Sequence, residues 1–228
     1  MAHRPVNETN HWPAPADDIT RAIQFIRARA TDWGIDPDRL AVKGRSSGGH
    51  VALMVGFGPD RAKPGSPDAV ERQSSRPTCI IAGSAPTDLG LQMTELLKEE
   101  NRPGLRREAL RDGNGQDYLW ERMCALLGIQ RAGLTVDELA RRLGPLSPVH
   151  VVTRDAPPVL LLHPGPADAF WPGDARLKWD VHTPITGLIL AQRLKELGVP
   201  HELAMLPEGS EGRGGGVVSP QELAFLRQ

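Results

Sequence analysis

Residues 40–56 read LAVKGRSSGGHVALMVG, and the reading of this stretch decides the fold. The apolar run 40–43 predicts a strand, Gly44-Arg45-Ser46-Ser47-Gly48 a sharp turn, and 48–57 an amphipathic helix. This is the layout of a nucleophile elbow. The turn lifts the Ser46 hydroxyl clear of the backbone, and the N-terminal amides of the next helix point at the same spot. Gly44 and Gly48 lie two residues either side of the serine, where a β-carbon is expected to clash with neighbouring backbone.

Outward from the elbow, strands and helices alternate. Upstream, Asp17-Asp18 open a helix whose positions Ile19, Ala22, Ile23, Ile26, Ala30 and Trp33 keep a 3.6-residue rhythm, and Gly34 ends it. Asp36-Pro37-Asp38 turn the chain into the elbow strand. Downstream, strands are predicted over 78–83, over 159–163 after Asp155-Ala156-Pro157-Pro158, and over 201–206. A helix over 184–197 precedes the last of these, stopped by Gly198 and Pro200. Continuous apolar strands alternating with helices indicate an α/β protein with a parallel sheet covered on both faces. Residues 91–144 read as helical and polar, broken by the RDGNGQD stretch. They are expected to form an insertion packed over the sheet end, within a single domain spanning 1–228.

Composition excludes several function classes. The 228 residues carry a formal net charge of −1 with acids and bases well mixed. No field is present to attract nucleic acid or an anionic membrane. Arg102, Arg106, Arg107 and Arg111 sit at helical spacing among acids and read as a solvated helix face, as do Glu95, Glu99 and Glu100. Cys79, in the run TCIIAG, reads as a small core residue, and with Cys124 it makes no metal site; no His, Cys, Asp or Glu cluster has metal spacing. No cofactor is expected. GRGGG at 212–216 lacks the strand-to-helix setting of a phosphate loop and reads as a surface loop. Neither a membrane-length apolar run nor a signal-type N-terminus is visible, so a cytoplasmic protein is expected.

Three phrases carry a resemblance: HWPAPADDITRAIQFIRARATDWGIDPDRLAVKGRSSGGHVAL, SPVHVVTRDAPPVLLLHPGPAD and LAQRLKELGVPHELAMLPEGSEG. From Trp12 onward the chain resembles the α/β-hydrolase superfamily. The likeness is to the esterase and lipase group related to hormone-sensitive lipase and to bacterial feruloyl-esterase-like domains. The resemblance implies a doubly wound sheet and hydrolysis of a small carboxylic ester through an acyl-serine. It makes Ser46 the nucleophile, the Ser47 amide an oxyanion donor, and Asp168, five residues after His163, the triad acid.

The chain departs from that pattern in three places. The family's triad histidine follows the last strand, where this chain has Pro207-Glu208-Gly209-Ser210-Glu211-Gly212, with Glu211 at the expected position. An exposed glutamate is too weak a base to replace imidazole near neutral pH. The family's HGGG-type oxyanion loop is absent, and losing one such donor typically costs about 10²–10³ in rate. The chain also starts where the family has already passed several strands, so the sheet is expected to be N-terminally incomplete and the elbow strand an exposed edge. A truncated gene, a homodimer pairing that edge, or an N-terminal partner would each account for it.

Of the seven histidines, His50 reads as a packing or backbone-bonding residue and His163 as turn-stabilising. His182 is the best substitute base: it precedes a helix on the same side of the sheet as Asp168. Asp168, Asp174 or Asp180 would orient it. The alternative for His182 is a helix-entry residue beside Pro184. Trp171 and Trp179 flank the acid loop, either as walls of an apolar pocket or as packing. Two functional readings follow: a serine hydrolase of small esters, or a hydrolase-fold protein that has lost turnover and serves as a binding module or remnant.

Overall fold

The structure, a computed structural model, describes residues 3–7, 9–97, 118–169, 171–174, 176–177, 179–207 and 218–227. Among these residues four strands form one parallel sheet in the order β1 (Ala41–Arg45), β2 (Cys79–Gly83), β3 (Val159–Pro164) and β4 (His201–Leu206). Helices α1 (Ala14–Ala28) and α2 (Ala30–Trp33) precede the sheet, and α3 (Ser47–Phe57) follows β1. Between β2 and β3 run α4 (Leu89–Leu97), α5 (Tyr118–Leu127), α6 (Val136–Leu143) and the short α7 (Pro148–Val151). Helix α8 (Pro184–Leu197) joins β3 to β4, and α9 (Pro220–Leu226) closes the chain.

Local chemistry sets these boundaries. Gly34 at φ 64° and Gly198 at φ 72° end α2 and α8 in the left-handed conformation that glycine adopts without steric cost. The turn into β1 is held by Asp36 Oδ1, which accepts the Asp38 N–H at 2.9 Å. Thr183 caps α8 by accepting the Ile185 N–H at 3.3 Å, with Pro184 in the first turn. Helix α1 begins at Ala14 rather than Asp17, because Pro15 stands where a helix has no internal use for an N–H.

The two central strands are apolar on both sides because both sides are covered. On one face Ile80, Ala82, Val159 and Leu161 meet Leu53 and Phe57 of α3 and Leu190 and Leu194 of α8. On the other, Ile81 and Leu160 meet Phe225 of α9. Burying one such side chain stabilises the fold by about 1.5–3 kcal/mol. Helix α9 is fastened by Glu222, which is 3 % exposed, pairs with Lys43 of β1 at 2.8 Å and forms a capping box with Ser219.

Three sequence expectations change. Helix α3 is not amphipathic: residues 49–57 are all buried, because α1 lays Ala16 and Ile23 against Val51 and Val55 on the side away from the sheet. The segment 91–144 is less polar than its composition. Its described helices enclose an apolar cluster of their own, in which Leu139 and Leu143 are fully buried beside Met93 and Trp120. Trp33, read as part of the apolar stripe, is 53 % exposed and packs edge-on against Phe25. The 102–111 basic patch, Glu99, Glu100, the RDGNGQD stretch, the Glu211 position and GRGGG lie outside the described residues.

Strand β1 is the outermost strand on its side among the described residues, with Ala41, Lys43 and Arg45 exposed. The register aligns Arg45 with Gly83, and Pro164 with Leu206, so the carboxyl ends of all four strands lie along one edge. In open parallel sheets that edge is where ligands bind.

Candidate active site

Ser46 leaves β1 at φ 52° and ψ −122°, a conformation that costs a non-glycine residue about 1–3 kcal/mol and needs its surroundings to hold it. The neighbouring backbone does so: the Ser46 N–H donates to the Gly83 carbonyl at 2.8 Å, and the Ser46 carbonyl accepts the His50 N–H at 3.0 Å. Gly44 permits the turn, because a β-carbon there would stand 2.2 Å from the Gly48 carbonyl oxygen. The symmetrical expectation for Gly48 is overturned. A β-carbon at Gly48 meets nothing within 4 Å, and the second tight position is Gly49, 2.9 Å from Ala85 Cβ. Helix α3 passes the end of β2 on its Gly49 side, which one-dimensional spacing does not reveal.

The Ser46 hydroxyl lies 2.9 Å from His182 Nε2, although 136 residues separate the two. His182 ends the loop between β3 and α8, and two contacts hold that loop. Asp180 Oδ1 accepts the His182 backbone N–H at 2.6 Å, while Gln92 Nε2 on α4 donates to the Asp180 carbonyl at 3.0 Å. Gln92 is 6 % exposed, a buried amide whose position no sequence signal singled out.

The three candidate acids are disposed differently. Asp168 faces Arg176, whose Nη1 donates to it at 2.9 Å, and its side chain is 74 % exposed. Asp174 is held by the same guanidinium at 2.5 Å, and these hydrogen bonds lower its pKa to about 2. Asp180 touches the histidine through the backbone amide. Among the described residues, no carboxylate is hydrogen-bonded to His182 Nδ1. The structure therefore brings Ser46 and His182 together and turns Asp168 toward Arg176. The reason is local: Arg176 lies in the same loop as both acids and satisfies them there.

The remaining histidines are engaged elsewhere. His50 is 5 % exposed, its Nε2 bonds the Leu146 carbonyl at 2.7 Å, and burial pushes its pKa down, so it stays neutral. His163 is fully buried at the end of β3, and Gly187 of α8 makes room for its ring.

A cavity of about 360 Å³ opens over Ser46 and His182. Leu89 and Met93 of α4, Leu119 and Met123 of α5, and Val181 form its apolar wall. Trp171, considered for that wall, is 62 % exposed and is not among the lining residues, nor is Trp179. Ser47 also lines the cavity; it is the first residue of α3, and a first-turn amide has no partner inside its own helix. Among the described residues, no three His, Cys, Asp or Glu side chains are placed to hold a metal ion, and no helix is long and apolar enough to cross a membrane.

A parallel sheet with covering helices, and a serine at a strained strand-to-helix turn, have the layout of an α/β-hydrolase. The comparisons give the family. The BD-FAE model matches residues 1–174, and the chain belongs to that family. It is 35 % identical over 65 residues to the probable carboxylic ester hydrolase LipM of Mycobacterium tuberculosis, a stretch covering 28 % of this chain and 15 % of that protein. With esterase LipQ of the same organism it shares 42 % identity over 44 residues, 19 % of this chain and 10 % of that one. Among solved structures, it is similar to the acetyl ester-xyloside bifunctional hydrolase of Caldicellulosiruptor lactoaceticus. There the TM-score is 0.57 and the identity 29 %, over 88 % of this chain and 58 % of that one. The Thermogutta terrifontis esterase Est2 shares the fold at a TM-score of 0.52 and 21 % identity, over 96 % and 61 % of the two chains. The matches thus cover 15 % or less of these two curated relatives and about three fifths of these structures.

Proposed function

We propose that this chain is a serine hydrolase that cleaves small carboxylic esters through an acyl-serine intermediate. The observation that carries the reading is the 2.9 Å contact between Ser46 Oγ and His182 Nε2 in the floor of an apolar cavity. Ser46 Oγ attacks the ester carbonyl carbon while Nε2 takes the hydroxyl proton. The Ser47 amide supports the oxyanion. As the tetrahedral adduct collapses, the bond between the carbonyl carbon and the alkoxy oxygen breaks and the imidazolium gives the proton to that oxygen, releasing the alcohol. Water then repeats the sequence on the acyl-serine, giving the carboxylic acid and free Ser46.

Among the described residues no carboxylate meets His182 Nδ1, so none of them selects the tautomer that leaves Nε2 unprotonated. In serine proteases, disabling that acid lowers kcat about 10⁴-fold, and slow turnover is expected here. The Asp168–Arg176 pairing also favours a second reading, a hydrolase fold retained for binding with little or no turnover.

A fluorophosphonate probe and p-nitrophenyl acetate separate the two. Labelling and turnover that disappear in Ser46→Ala and fall at least 100-fold in His182→Ala are expected. Labelling of the wild type no higher than that of Ser46→Ala overturns the hydrolase in favour of the binding protein.

A further inference from the structure

We infer that the pocket selects esters carrying a carboxylate at the end remote from the scissile bond, such as monoesters of short dicarboxylic acids, with Arg122 as the anion-recognising residue. This rests on the hydrolase reading for the reaction, but not for the binding.

The wall over Ser46 is apolar except at a few places, and among the described residues the one charged side chain lining it, apart from His182, is Arg122 of α5. Most arginines with described partners in this molecule are neutralised by an acid: Arg21 by Asp68, Arg76 by Asp155, Arg142 by Glu138 and Arg176 by Asp174. Arg122 is not. Its described contacts are both with Tyr118, one turn earlier, to whose hydroxyl Nη1 donates at 3.1 Å and over whose ring the guanidinium carbon lies 5.4 Å from the centroid. Tyr118 lines the same cavity.

A guanidinium has five N–H donors in a planar fork, and the tyrosine hydroxyl uses one of them. A half-buried cation beside apolar wall, with spare donors and no counter-charge among the described residues, is matched by a carboxylate, which can accept two parallel N–H bonds. Tyr118 fixes the fork by hydrogen bond and ring contact, so less side-chain freedom is lost when an anion docks. The remaining wall, Leu89, Met93 and Met123, suits the methylenes between the two ends of such a substrate.

The test compares p-nitrophenyl hemisuccinate, hemiglutarate and hemiadipate with neutral p-nitrophenyl esters of similar length. For the best-fitting length, wild-type kcat/KM is expected to favour the anionic ester about 10- to 100-fold, the range of a charge-assisted hydrogen-bonded pair. Arg122→Gln should collapse that ratio, Arg122→Lys should restore part of it, and added salt should lower it. A wild type that prefers the neutral ester at every length, or a ratio unchanged in Arg122→Gln, overturns the inference.

Binding keeps the question open to measurement if turnover is nil. Calorimetry on Ser46→Ala should give tighter binding of monoethyl glutarate than of ethyl valerate, and the difference should vanish in Ser46→Ala/Arg122→Gln. Equal affinities overturn the inference. Selective binding without Ser46-dependent turnover would instead refute the hydrolase and leave the anion site standing.

Discussion

Gly44 and Gly48 flank Ser46 symmetrically in sequence, yet alanine substitution is expected to act on them in opposite directions. At Gly44 the added β-carbon would lie 2.2 Å from the Gly48 carbonyl oxygen and 2.7 Å from the Gly49 nitrogen, both backbone atoms. To reach even 3.0 Å, the first turn of α3 must move away from β1 by most of an ångström. Overpacking of this kind costs about 1–3 kcal/mol. Because neither obstacle is a flexible side chain, the upper end applies, about 3 kcal/mol. For a chain of this size about 2–4 °C of Tm is lost per kcal/mol, so Gly44→Ala should melt about 6–12 °C below wild type. At Gly48 no atom stands within 4 Å, and the residue is helical. Alanine there removes a helix-propensity cost of about 0.5–1 kcal/mol and should raise Tm by about 1–4 °C. Calorimetric melting of the two variants beside wild type reads the sign directly. The fluorophosphonate rate reads the geometry, since displacing α3 displaces Ser46. Equal Tm values, or Gly48→Ala as the less stable variant, would refute the account of the turn.

Gln92→Ala removes the bond that holds the Asp180 carbonyl and should slow both turnover and Ser46 labelling about 5- to 10-fold by loosening the His182 loop; unchanged rates in stopped assays would contradict this. For Glu222, burial alone would raise the pKa, but the hydrogen bonds from Lys43 and Ser219 outweigh it and hold it below the ordinary value. Its contribution is therefore present above the unfolded carboxyl range and is lost as pH falls through the depressed folded pKa. Glu222→Gln, which can keep the capping box but not the ion pair, should melt between wild type and Glu222→Ala, and denaturant titrations at pH 7 and pH 3.5 should show the gap between wild type and Glu222→Gln narrowing in acid. Burial depresses the His50 pKa, so the unfolded chain takes up a proton there before the folded one does. Stability is full above about pH 6.5 and declines below it, and His50→Gln should flatten that decline in melts taken from pH 7.5 to 5.5.

Much of the architecture was legible because it is written in short-range chemistry. Helix α8 and strand β4 begin and end where Pro184, Gly198 and Pro200 put them, and Thr183 and Ser219 use local hydroxyls as caps. Periodicity misled where a helix has neighbours on every side. Residues 49–57 have no exposed face because α1 covers the side that would otherwise meet water. Asp168 lies in the loop after β3, but the partner of its carboxylate is not legible in the sequence. A guanidinium eight residues away takes it, and only the folded path of the loop brings that group within reach.

The sequence by itself determined the alternation of strand and helix, the strained turn at Ser46 and the set of histidines and carboxylates available. These are properties of φ and ψ preferences, caps and apolar periods within a few residues, which tertiary context rarely reverses when they agree. Only the tertiary structure decided which of those groups meet: Ser46 with His182, Asp168 with Arg176, Arg122 with the cavity, and Gly44 rather than Gly48 with the crowded backbone. Convergence of that kind depends on strand order, register and the packing of helices over the sheet edge. Those are sums over many weak contacts between distant residues, and no single spacing in the chain encodes them.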